Sequence, residues 1–259
     1  MPSEYIQDAL ISAIVKHSGD KSIWIVDIAC GDGATLKKLA ALGYTRLEGT
    51  LFGDDEEVFD YSGIDYGGRI KITRNVNLLA KLPFDDDSID VVINSELLEH
   101  IENHRHAVAE LTRVVKPGGL LVLETPNIMR LQSRFNFFLS GFHKPRTLFP
   151  SYHGPLVEHL RVHSFPVYLP ILDYFMHQYG MRLEKIAWNR WKVFPVLLLL
   201  LWWPLILLNS LLFFFKEKGL DTKAKAHLFK VLHHPAILLC NVLILTYRKV
   251  GHGDVENQG

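Results

Sequence analysis

The sequence predicts an α/β fold built on a mostly parallel sheet, and three observations carry that reading. The runs IWIVDI (23–28), IDVVINS (89–95) and LLVLETP (120–126) have the composition of strands buried on both faces. Segments with apolar residues at helical spacing separate them. Glycine and proline mark most of the changes from one pattern to the other. Alternation of this kind implies parallel strands covered by helices, and 259 residues suffice for one large domain with an appendage.

In chain order, Ile6, Leu10, Ala13 and Ile14 recur at helical spacing over 4–17, and Gly19 and Asp20 end the pattern. The strand at 23–28 leads through a glycine-rich turn into a helix at 34–42, closed by Gly43. Weaker strands follow at 46–52 and 70–76, separated by the acidic GDDEEVFD (53–60). After the firm strand at 89–95, AVAELTRVV (107–115) is helical until Lys116, Pro117, Gly118 and Gly119 stop it. Residues 128–165 interleave His, Pro, Arg and aromatic residues and read as a substrate-side region. A helix at 168–179 ends at Gly180, and MRLEKIAW (181–188) and CNVLILTYRK (240–249) read as strands.

The totals exclude less than the motifs do. The 28 basic and 28 acidic residues cancel, so no global field draws the chain to nucleic acid, and no nucleic-acid partner is expected. The opening MPSEYIQDAL lacks a basic and an apolar region, so no secretory signal is read and a cytoplasmic location is expected. Cys30 and Cys240 are far apart in unlike surroundings and are expected to be free thiols.

In DIACGDGATL a strand delivers Asp27, the chain turns through Gly31 and Gly33, and a helix begins, so backbone N–H groups at the helix start can face a ligand. A nicotinamide fingerprint starting at Gly31 would need glycine where Leu36 stands, and one starting at Ala29 lacks its first glycine.

The ordered set VDIACGDG, LPFDDDSIDVVINSELLEH and LTRVVKPGGLLVLETPN resembles the class I S-adenosylmethionine-dependent methyltransferases, over about 23–127. That resemblance implies a Rossmann-like seven-stranded sheet with a closing antiparallel pair, and S-adenosylmethionine as cofactor. It divides the chain into a methyltransferase domain over 1–190, a hydrophobic insertion over 191–236, the last strand at 237–250 and a tail at 251–259. It also implies that Asp27, Ala29, Cys30, Gly31 and Gly33 line the methionine and ribose side, with Asn77, Leu78 and Asn94 nearby. Ala29 replaces the usual first glycine, tolerable where its φ is negative. Asp54 is taken as the ribose-binding acid, in place of Leu51 at the ungapped position, and Asn77 stands where an adenine-contacting Asp is usual.

In SELLEHIENH a helical turn would gather Glu96, Glu99 and His100 on one face. The E-x-x-E-H string resembles the metal site of methyltransferases that modify the terminal ribose of small RNAs or O-methylate ubiquinone precursors. His159, preferred to His163, would complete a site for Mg²⁺, Mn²⁺ or Zn²⁺. Metal-free relatives carry similar strings, and there His100 is the general-base candidate, with His159 beside the acceptor. His104 and His106 read as solvated.

Residues 193–215 carry no charge and are long enough to span about 30 Å of hydrocarbon. If the strands on either side pair in one sheet, however, the segment must leave and return on the same side of the membrane. A second crossing would have to use the lysine-rich stretch after Phe215. Pro204 then predicts a hairpin with arms at 193–203 and 205–215 dipping into one leaflet, or a shallow interfacial helix kinked at Pro204. The sequence thus leads to a monotopic or peripheral enzyme at the cytoplasmic face of a membrane. Its partners would be the lipid surface and a small-molecule or lipid-linked acceptor. The rival readings are a non-catalytic membrane scaffold with the same fold and a metal-dependent RNA ribose methyltransferase.

Overall fold

The computed structural model describes residues 4–52, 63–143, 165–188 and 193–250. Its first half contains α1 (Glu4–His17), β1 (Trp24–Ile28), α2 (Ala34–Ala41), β2 (Arg46–Thr50), β3 (Ile70–Thr73), β4 (Ile89–Ser95), α3 (His104–Val114) and β5 (Val115–Pro126). Then come α4 (Leu131–Ser140), α5 (Leu169–Gln178), β6 (Met181–Ile186), α6 (Val193–Lys216), α7 (Thr222–Leu232), α8 (Pro235–Leu239) and β7 (Val242–Lys249).

One seven-stranded sheet has the order β3-β2-β1-β4-β5-β7-β6. The five strands from β3 to β5 are mutually parallel, and β7 runs antiparallel to both β5 and β6. The expected mixed sheet with a closing antiparallel pair is therefore present. Alternation along the central strands sorts the core into two layers. Ile25, Val91, Ile93, Val122 and Ile244 face α1 and α2, whereas Val26, Val92, Leu121, Leu123 and Leu245 face α3 and α5.

Beyond β3 the chain crosses back to β4 on the other side of β1, so the strand order reverses between β1 and β4. In open α/β sheets the crevice at such a reversal, beyond the carboxyl ends of the strands, is where ligands bind.

Two expectations about elements need correcting. β5 starts directly after α3, at Val115, rather than at residue 120. Gly119 permits this passage, because a Cβ there would lie 2.7 Å from the Asp90 carbonyl oxygen. The second correction concerns α6, which is a single helix of 24 residues continuing through Pro204, not two arms. Proline removes only one intrahelical donor, and α6 is braced along one side: Leu198, Trp202, Trp203 and Ile206 pack with Leu131, Phe135, Leu238 and Leu239.

The insertion is fastened to the sheet as well. Asp173 on α5 accepts from Tyr247 Oη of β7 (3.1 Å) and pairs with His227 Nε2 of α7 (2.6 Å). That pairing raises the His227 pKa above its ordinary value.

Candidate active site

The glycine-rich turn opens at the end of β1. Thr50 holds it from below: its hydroxyl oxygen accepts the Ala29 N–H (3.0 Å) and its carbonyl accepts the Cys30 N–H (2.9 Å). Ala29 itself has φ 62°, so the condition under which alanine replaces the usual glycine without strain is not met. A left-handed alanine costs about 1–2 kcal/mol relative to glycine, and the two Thr50 bonds enforce the conformation.

Gly33 (φ 69°) caps α2 in the left-handed region, where a Cβ would come within 2.8 Å of the Tyr66 ring. The Tyr66 hydroxyl donates to the Gly31 carbonyl (2.7 Å), so this ring covers the turn. Sequence reasoning missed Tyr66, because it follows the acidic connection after β2 and no local pattern ties it to the turn. Cys30 contributes only backbone to the opening. Its Sγ lies beneath the turn, 2.4 Å from where Gly49 would carry a Cβ, and burial pushes its thiol pKa up.

Asp27 is 4% exposed at the end of β1, and its Oδ1 has no hydrogen-bond partner among the described residues. Burial, reinforced by the nearby charge of Asp32, pushes its pKa up to about 8. Asn94, level with Ile28 on the adjacent β4, is fully buried; its Nδ2 donates to the Ile28 carbonyl (3.4 Å) and its Oδ1 is unpartnered. These two neighbouring strand ends present buried oxygens with no hydrogen-bond partner among the described residues.

Asn77 is exposed, but its Oδ1 accepts from the Leu79 N–H (2.8 Å), an Asx turn that uses one of the lone pairs assigned to adenine. The Leu78 side chain is 2% exposed and belongs to the core, leaving only its backbone for a ligand. This loop is held by Arg113, which donates to the carbonyls of Leu82 (3.1 Å) and Phe84 (2.8 Å) and pairs with Glu110 and Asp86. Asp54 lies outside the described residues, as do His159 and His163.

The Glu96, Glu99 and His100 face does not form as expected. Only Leu98–His100 make a helical turn, of 3-10 type, and Glu96 precedes it with φ 50°. Glu96 is exposed, whereas Glu99 is 1% exposed and accepts from Thr125 Oγ1 of β5 (3.1 Å). The three residues are therefore not on one helical face. Among the described residues no group of three His, Cys, Asp or Glu side chains is placed to hold a metal ion. His104 is not simply solvated, because its Nε2 bonds the Leu98 carbonyl (2.9 Å) and anchors the short turn carrying His100.

A further acid, missed from sequence because it sits inside an apolar strand, is Glu124 on β5. It is level with Ser95, whose hydroxyl donates to its Oε2 (2.6 Å), while its Oε1 is buried and unpartnered among the described residues. Burial, with the charges of Glu96 and Glu99 adding to it, raises its pKa to about 8. At neutral pH this carboxyl holds a proton beside the crevice.

The sheet order, the glycine turn and the acid closing β1 define a class I methyltransferase fold, Rossmann-like, with a crevice at its reversal point. Comparison with known proteins narrows this. Residues 26–123 match the family described as "Methyltransferase domain". A probable S-adenosylmethionine-dependent methyltransferase of Mycolicibacterium smegmatis is 38% identical over 65 residues, 25% of this chain and 25% of that protein. A ubiquinone biosynthesis O-methyltransferase of Rickettsia canadensis is 29% identical over 122 residues, 47% of this chain and 50% of that protein. The chain spans a quarter to a half of the length of the curated relatives it matches. Among solved structures, a SAM-dependent methyltransferase from Archaeoglobus fulgidus superposes with a TM-score of 0.52 at 16% identity, covering 95% of this chain and 94% of that one.

The residues present fit the cofactor this fold implies. S-adenosylmethionine carries an ammonium and a sulfonium, and the crevice offers a buried carboxyl oxygen and an amide oxygen without partners among the described residues. The turn at 29–33 brings backbone close with little side chain above it.

Proposed function

We propose that this chain is an S-adenosylmethionine-dependent methyltransferase acting on an acceptor held at a membrane surface. The observation that carries the catalytic half is Asp27, a buried carboxyl with an unsatisfied oxygen at the mouth of a glycine turn. When bound, S-adenosylmethionine supplies a methyl group already activated by its sulfonium. The chain's own task is then to hold and orient both reactants.

Asp27 would accept from the methionine ammonium, the turn at 29–33 would contact the methionine and ribose through its backbone, and Asn94 would supply a second acceptor. Asn77 keeps its amide N–H groups and the second lone pair of its oxygen for the adenine side, because Leu79 uses only the first. His100, at the end of the short turn, is the candidate to take the acceptor's proton. Glu124 holds its proton at neutral pH and so can donate a hydrogen bond, which an ionised glutamate could not do. Metal ligation by Glu96, Glu99, His100 and His159 gains no support from the donors described, so no step is assigned to a metal.

The membrane half rests on α6. Leu197, Leu200, Leu201, Leu205, Leu208 and Leu212 are all exposed, and their spacing of three and four puts them on one side of the helix. The opposite side is the one packed with α4 and α8. By length and composition this helix could cross a bilayer, yet a helix packed along one side and bare along the other suits lying in the interface. Both ends of the insertion return to one sheet, since β6 pairs with β7, which supports a monotopic attachment. Lys216, Lys218, Lys223, Lys225 and Lys230 follow the apolar stretch and would favour anionic lipid. A lipid-linked sugar, polysaccharide precursor or quinone-like molecule, methylated on oxygen, suits an active site held beside a bilayer.

The test is incubation with methyl-labelled S-adenosylmethionine and host membranes, followed by partition into organic and aqueous phases. Label in the organic phase is expected. Failure to bind S-adenosylmethionine at high micromolar concentration would sink the catalytic reading and favour the scaffold, for which the strained Ala29 is the supporting feature.

A further inference from the structure

We infer that a second ligand site, for the phosphate head and apolar chain of a lipid, lies between α4 and α6. This rests on the proposed function and deepens it by naming phosphate-bearing lipids as the acceptor class. The site consists of two adjoining cavities. The larger, about 310 Å³, is lined by Arg134, His143, Tyr168 and His233 on its polar side and by Met129 and Ile206 among its apolar contacts. The smaller, about 150 Å³, is lined by Phe135, Phe138, Leu198 and Trp202, together with Arg134 and Ile206. Arg134 and Ile206 line both, so a chamber with polar groups on one side adjoins an apolar groove across one shared wall.

Two ring nitrogens of the larger chamber are buried and lack a partner among the described residues. Arg134 spends its Nε on the Met129 carbonyl (2.7 Å), but its terminal nitrogens make no hydrogen bond and no ion pair among the described residues. Arg134 is half-buried, and that burial lowers its pKa. His233 donates Nδ1 to the Phe229 carbonyl (2.8 Å), leaving Nε2 buried and without a partner among the described residues, and His143 leaves its Nδ1 in the same condition. The Arg134 guanidinium supplies N–H donors suited to a phosphate, each imidazole can donate from its bare nitrogen only when protonated, and the groove beside them is mostly apolar.

Position supports the pairing of the two sites. Ile128 and Met129, on the chamber wall, continue from the carboxyl end of β5, where Glu124 borders the crevice. The other wall is α6, with Ile206 and Ser210 facing in and its leucines bare on the far side. A lipid seated here would have its head toward the reacting crevice and its chain toward the bilayer face.

Thermal unfolding of the full chain in dodecyl maltoside micelles tests this, with dodecyl phosphate, dodecanol or inorganic phosphate added. Dodecyl phosphate is expected to raise Tm by about 5 °C at saturation, and neither of the others alone should do so. Arg134→Met should abolish the rise while leaving the stabilisation by S-adenosylmethionine unchanged. If that variant does not fold, Ile206→Trp, which fills the shared wall, should reduce the rise by at least half. Equal shifts with dodecanol, the full shift with inorganic phosphate, or a rise that survives the substitution overturns the site. Loss of the S-adenosylmethionine shift in the unmodified protein would instead strike the methyltransferase reading, so the two failures are distinguishable.

Discussion

The crevice at the ends of β1 and β4 and the outer face of α6 break the same rule in opposite directions. At the crevice, Asp27 and Asn94 are buried polar groups with acceptor oxygens left unsatisfied. On α6, Leu200 and Leu201 are 74% and 71% exposed, large apolar groups left in water. Neither arrangement stabilises the chain by itself: an unsatisfied buried polar group costs about 1–3 kcal/mol, and an exposed leucine forgoes about 1.5–3 kcal/mol of burial. The comparison teaches why the proposed reading assigns each region a partner outside the chain, a cationic ligand in one case and hydrocarbon in the other.

If that opposition holds, the two regions can be disabled separately. The largest effect is expected on the helix. Leu200→Glu with Leu201→Glu should weaken co-sedimentation with anionic vesicles at least 100-fold, about 3 kcal/mol or more, and leave S-adenosylmethionine binding by calorimetry untouched. Asp27→Asn should do the reverse, lowering affinity for the cofactor roughly 50-fold, about 2–3 kcal/mol, with vesicle binding unchanged. Loss of both functions in either variant would break the comparison.

Acidity offers a finer cut. Asp27 and Glu124 have folded-state pKa values of about 8, above those of an unfolded carboxyl. Their contribution to stability is therefore complete below pH about 4 and is lost as pH rises toward 8. Without ligand, Tm should fall by about 5 °C between pH 5 and 7.5, and Asp27→Asn should flatten that slope. Cofactor binding should release protons near pH 7, seen as a buffer-dependent enthalpy, because a cation favours ionised Asp27. The smallest effect belongs to the turn. Ala29→Gly should stabilise the protein by about 1 kcal/mol in denaturant unfolding, relieving the left-handed alanine.

Most of the sheet was legible because its strands are apolar on both faces and carry their own signal: 89–95 was read without error, and the run at 23–28 contains β1. The glycine turn was legible for the same local reason, since Gly31 and Gly33 both take positive φ. What escaped depends on contacts distant in sequence. Tyr66 reaches Gly31 across the turn, Thr50 fixes Ala29 in a conformation its own residue type disfavours, and Glu124 gains its character from Ser95 on a neighbouring strand. The turn after β4 misled because E-x-x-E-H has helical spacing, whereas Glu99 is drawn inward by Thr125 and only one 3-10 turn forms. Pro204 misled likewise, because helix propensity was outweighed by packing along one side of α6.

The place where α6 is spliced into the chain has a consequence of its own. β6 and β7 are antiparallel neighbours, with Ile186 opposite Leu245 and the Ala187 N–H bonded to the Ile244 carbonyl (2.8 Å). Antiparallel neighbours can be joined by a turn of as few as two residues. The whole stretch from α6 to α8 is thus an insertion between two paired strands, tied down further by the Asp173–His227 pair and by Asn127, whose amide donates to the Ile237 and Cys240 carbonyls. Because Val231 and Ile237 of that insertion also lie in the main core, the segment that carries the exposed leucines is built into the body of the fold instead of trailing from it.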